Sequence, residues 1–83
     1  MKTYDAIRIA ARNAGMSLRG LGRAYGKTDG YIVSAISRGN TPKTDTTAGI
    51  LATCGYALCA VPADNVPEDA LVIDPPATET VDR

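Results

Sequence analysis

The sequence predicts a mainly α fold over its 83 residues, four short helices followed by a C-terminal β-hairpin. Three observations lead there. Apolar residues recur at helical spacing through the first half of the chain. Gly15, Gly26, Gly39 and Gly55 interrupt that pattern at short-helix intervals. Beyond Gly55 the pattern gives way to two brief apolar runs, each closed by proline.

Thr3 is expected to cap a first helix running to about Ala14, because Ile7, Ala10, Ala11 and Ala14 fall on one face and Arg8 and Arg12 elsewhere. Gly15 supplies its left-handed stop. Ser17 reads as the cap of a second helix, Leu18 to Tyr25, with Leu18, Leu21 and Tyr25 on one stripe and Arg19 and Arg23 on another. Gly20 and Gly22 sit inside this helix, each costing about 0.5–1 kcal/mol relative to alanine. A neighbouring helix crossing too closely for a larger side chain is the expected compensation.

After Gly26, Thr28 is expected to cap a third helix ending near Arg38, with Asp29 close to the positive end of the helix dipole. Ile32, Ala35 and Ile36 form its inner face. Lys27, Tyr31, Ser34 and Arg38 follow at i, i+4, i+7 and i+11, one outer stripe that is basic at both ends. Gly39 closes the helix, and Asn40 to Lys43 form a loop. Thr44 then caps a fourth helix, Asp45 to Cys54, with Ala48, Leu51 and Ala52 inward and Gly55 as terminator.

Tyr56 to Val61 reads as a strand ended by Pro62, and Leu71 to Ile73 as a second ended by Pro75 and Pro76. Two such strands are marginal alone in water, so the hairpin is expected to pair with the same hairpin of a second copy across a two-fold axis. Tyr56, Leu58, Ala60, Leu71 and Ile73 are the residues expected at that contact. The alternative is a hairpin folded back onto its own helices. The chain therefore divides into a helical part over 1–55, a dimerising hairpin over 56–74 and a flexible tail over 75–83.

The formal charge of zero hides an asymmetry. Residues 1–43 carry eight basic against two acidic side chains, a net +6, whereas residues 44–83 carry one basic against seven acidic, a net −6. A polyanion-binding half joined to a half that stays off the polyanion fits this division; the plainer account is a solvated basic face with no partner. Cys54 and Cys59, without any histidine in the chain, are too few soft ligands for a zinc site, and read as small apolar residues in a reducing compartment. No metal or cofactor is expected. No stretch approaches the roughly 20 apolar residues that cross a bilayer, and no signal-peptide core follows the first residues, so a cytoplasmic protein is expected. An enzyme is disfavoured, since histidine is absent and the neighbouring acids Glu68 and Asp69 lie together in a loop.

Two short helices joined by a glycine turn, with basic residues on the outer stripe of the second, form a helix-turn-helix whose second helix fits a B-DNA major groove about 12 Å wide. The runs Ser17 to Gly26, Val33 to Pro42 and Asp45 to Thr47 resemble the lambda-repressor/Cro-like family, also called xenobiotic-response-element-like regulators. The match is a capped helix, a small residue at Gly22, a turn glycine at Gly26, the Val33-Ser34-Ala35-Ile36 recognition segment and the Gly39-Asn40-Thr41-Pro42 exit. It covers roughly residues 3–56. Glutamine often stands in the family where Leu18 is found, and glutamate where Ser37 is, and the turn from Gly26 to Val33 is one residue longer than usual.

The resemblance implies a sequence-specific double-stranded DNA-binding transcriptional regulator, a repressor of the phage or mobile-element type, acting as a homodimer on a palindromic operator in a bacterial or phage-infected cell. Helix 28–38 would enter the major groove. Thr28, Gly30, Tyr31 and Ser34 would face base edges, and Ser17, Arg19, Lys27, Arg38, Asn40, Thr41 and Lys43 would hold phosphates. Arg19 takes the place of the amide lost at Leu18. The competing expectation is an antitoxin-like or anti-defence module that grips a protein partner through its C-terminal hairpin.

Overall fold

The computed structural model describes residues 1–75, and its elements are α1 (Thr3–Asn13), α2 (Leu18–Ala24), α3 (Tyr31–Ser37) and α4 (Thr44–Thr53). The chain is mainly helical, and no strand occurs among the described residues. None of these helices is long and apolar enough to cross a membrane.

α1 buries Ala6, Ile7, Ala10 and Ala11, the stripe expected, but Ala14 lies exposed in the turn beyond the helix. Its cap is Lys2 and not Thr3: the Lys2 carbonyl accepts the first helical bond from Ala6 N–H at 3.2 Å, and Asp5 accepts from Lys2 N–H at 3.3 Å. Asp5 also places negative charge where the helix dipole is positive. Gly15 closes the helix at φ +74°, a conformation that costs other residues a steric penalty, and Met16 N–H donates back to the Ala11 carbonyl at 2.8 Å. The chain thereby turns to present Ser17, whose Oγ accepts from Gly20 N–H at 3.0 Å and starts α2 as expected.

Gly22 shows why glycine sits inside a helix. A Cβ there would lie 2.6 Å from the carbonyl oxygen of Thr28. The close neighbour is the backbone of the following turn, where a crossing helix was expected. Gly20 has no such reason, since its Cβ would meet only Ser17 Oγ and the side chain of Arg23. The turn also decides where α3 begins. Thr28 does not cap it; Thr28 to Gly30 form the turn, Gly30 is the cap, and the helix begins at Tyr31 with no side-chain cap. Arg38 is its last, C-capping residue.

α4 also starts one residue away from its expected cap, with Lys43 as cap and Thr44 as the first helical residue. Its inward face is rotated from the expected one: Thr47, Ile50, Leu51 and Cys54 are buried, Ala48 is half-buried and Ala52 is exposed. A polar Thr47 goes inward at little cost because its hydroxyl donates to the Lys43 carbonyl at 2.9 Å. α4 packs closely on the end of α2, where a Cβ at Gly49 would lie 2.9 Å from the Tyr25 ring. The core is Ile7, Ala10, Ala11, Leu21, Ile32, Ile50, Leu51 and Cys54, with Tyr4, Met16, Leu18, Tyr25, Tyr31 and Ile36 packed around it.

Residues 56–61 and 71–73, expected as strands, run irregularly here, with tight turns at Pro62–Asn65 and Pro67–Ala70. Tyr56 is half-buried against the core and its hydroxyl accepts from Asn13 Nδ2 at 2.8 Å. Leu71 also packs inward, while Ile73 is half-buried. The end of this segment lies along the start of the chain: the Met1 amino group donates to the Val72 carbonyl at 3.0 Å and pairs with the Asp74 carboxylate, and Asp74 N–H donates to the Met1 carbonyl at 2.9 Å. The tail expected over 75–83 lies, apart from Pro75, outside the described residues.

Candidate nucleic-acid interface

The candidate interface centres on α3. With Ile32 fully buried and Ala35 and Ile36 half-buried, the core fixes one side of this helix, and Ser34, Ser37 and Arg38 are left exposed. Gly30 lies beside Ser34 and is half-buried: a Cβ on Gly30 would be in van der Waals contact with Ser34 Oγ at 3.6 Å. Thr28 is exposed in the preceding turn, where its carbonyl is committed to the Gly22 contact.

Tyr31 differs from its neighbours on this stripe. It is half-buried, tilted against Tyr25 with ring centroids 6.1 Å apart. Lys27 precedes the helix and does not continue it, yet its Nζ stands 5.6 Å from the centroid of the Tyr31 ring. That cation–π contact keeps the ammonium beside α3, at a strength of about 0.5–1 kcal/mol for an exposed pair. The four stripe residues thus adjoin, with Tyr31 as a packed wall and Lys27, Ser34 and Arg38 as the accessible groups.

Charge on this face is favourably arranged. Asp29, the acidic residue nearest the start of α3, is paired with Arg23 at 3.0 Å, with both side chains more than half exposed. Such a pair adds little stability, but it offsets a negative charge next to the basic stripe. Arg23 is therefore engaged locally, and Arg19 remains exposed on α2. Ser17 Oγ accepts from Gly20 N–H at the helix cap, and its hydroxyl hydrogen can still donate outward.

Beside α3 lies an open cleft of about 440 Å³, lined by Tyr4, Tyr31, Ala35, Arg38, Asn40, Thr41, Pro42, Lys43 and Thr46. It gathers four of the expected phosphate-holding residues, Arg38, Asn40, Thr41 and Lys43, with one expected base-facing residue, Tyr31. Ser17, Arg19, Lys27, Thr28, Gly30 and Ser34 are not part of it. Tyr4 and Thr46 are the residues that sequence reasoning missed. Tyr4 is half-buried, and its phenol pKa is raised, first by burial and then by the nearby Tyr31, with Arg38 opposing. A phenol is a hydrogen-bond donor at neutral pH with or without this shift.

The expected dimer residues divide in the same manner. Tyr56 and Leu71 turn inward against the core, whereas Leu58 and Ala60 are exposed, as are Val61, Val66 and Val72. These residues border an apolar depression of about 610 Å³ whose floor includes Ala6, Leu51 and Tyr56. Cys54 is buried, which raises its thiol pKa, and Cys59 is exposed. Compared with models of protein families, with curated proteins and with solved structures, the chain matches none.

Proposed function

We propose that this chain is a sequence-specific DNA-binding transcriptional regulator, a repressor that acts as a homodimer with α3 in the major groove of its operator. The observation that carries the reading is the uncovered flank of α3: Ser34 and Arg38 are exposed, Lys27 stands over the Tyr31 ring at the start of the helix, and the core holds the opposite face. Seven residues of helix are about 10 Å long, enough to lie in one stretch of major groove. Ser34 reads a base edge, and Arg38, Lys43 and Lys27 meet the strands on either side. The sequence resemblance to lambda-repressor/Cro-like proteins supports the same assignment. The second copy docks on the exposed apolar residues of the C-terminal segment, where strand pairing between copies satisfies backbone groups that the single chain leaves unpaired.

Selection from a random duplex library tests the reading. A palindromic consensus with half-sites about one helical turn apart is the expected outcome. Recovery of no consensus, with binding that ignores sequence, contradicts it. The same exposed apolar segment favours a second reading, an antitoxin-like module bound to another protein. A stoichiometric partner of different sequence recovered from the native host, with no binding to any selected duplex, decides for that one.

A further inference from the structure

The cleft beside α3 reaches beyond the residues that a recognition helix and its exit loop supply, because one wall is Tyr4 of α1. We propose that this cleft seats one sugar-phosphate step of the DNA strand flanking the groove, and that the Tyr4 hydroxyl donates a hydrogen bond to its phosphate. The inference rests on the DNA-binding reading and adds a third element, α1, to the interface.

Tyr31, Ala35 and Arg38 line the cleft at i, i+4 and i+7, so it runs the length of one flank of α3. A helix lying in a groove about 12 Å wide has a phosphate strand along each flank, and a strand along this flank of α3 would pass over the cleft. Its chemistry fits the same occupant. None of the lining residues is acidic, two are cations, and Asn40, Thr41 and Thr46 add neutral donors. A phosphate diester only accepts hydrogen bonds, so a phenol that retains its proton is a matched partner. Tyr4 is also held in place by packing against the core, which lowers the entropy lost when the bond forms.

The test compares the chain and Tyr4→Phe on the selected operator, and on operators carrying a symmetric pair of neutral methylphosphonates, one in each half-site, at each flanking position in turn. Tyr4→Phe is expected to weaken binding to the unmodified operator about a hundredfold, the size of two hydrogen bonds to charged acceptors, one in each subunit. At the position that Tyr4 contacts, both proteins should bind more weakly and the difference between them should shrink, while at the other positions the difference should keep its full size. Equal binding by the two proteins on the natural operator overturns the inference and leaves the regulator reading intact. A loss by the variant that is the same at every methylphosphonate position also overturns it, because that loss comes from the fold. If the wild type binds no duplex, the regulator reading fails and takes this inference with it.

Discussion

The helical part and the C-terminal segment solve the same problem in opposite ways. Through residue 55 the chain satisfies itself: Gly15, Gly26, Gly39 and Gly55 each end a helix with positive φ, and Ile7, Leu21, Ile32 and Ile50 are completely or almost completely buried. From residue 56 to 75 there is neither helix nor strand, and Leu58 at 38%, Val61 at 44% and Val72 at 47% leave apolar side chains in water. Charge follows the same division, basic in the first 43 residues and acidic afterwards. The lesson is that the first region carries its own buried core, to which the second adds Tyr56, Leu71 and the strap from Val72 and Asp74 to Met1, while the rest of the second leaves apolar side chains uncovered.

This contrast is most severely tested in the core. Ile7→Ala should cost about 2–5 kcal/mol, measured by urea unfolding, because a fully buried side chain leaves a cavity at the centre of the helices. A domain of this size has a total of roughly 4–12 kcal/mol, so the variant should lose a large share of its stability. Gly22→Ala comes next, at about 1–3 kcal/mol, since its Cβ would press on a backbone carbonyl that cannot swing aside. The smallest effect on folding belongs to the paired change Leu58→Ser and Val72→Ser, which should stay within about 0.5 kcal/mol for the monomer. That variant should nevertheless lose self-association in sedimentation. A loss of stability rivalling Ile7→Ala would erase the distinction between the two regions.

What the sequence revealed depended on how local the physics was. The glycine stops were readable because a positive φ is a property of one residue and its immediate neighbours. Ser17 was readable for the same reason, its oxygen reaching only to Gly20. Thr3, Thr28 and Thr44 misled, because a threonine before a helical pattern serves equally well as the first helical residue or within the turn. The inner face of α4 was misjudged because Thr47 hides its hydroxyl by bonding to Lys43, a cost that side-chain polarity alone overstates. On the candidate interface, Arg38, Asn40, Thr41 and Lys43 were legible from charge and loop chemistry. Tyr4 was not, because nothing near it in sequence shows that α1 folds back beside Tyr31 and Arg38.

The central claim is that an uncovered, positively charged flank of α3 is built for the phosphates and bases of duplex DNA. Its most direct test is the salt dependence of binding to the selected operator. With Arg19, Lys27, Arg38 and Lys43 each meeting one phosphate in each of two copies, log K should fall against log salt with a slope of roughly −7. A slope near zero, or one unchanged when Arg38 is replaced by glutamate, contradicts the account.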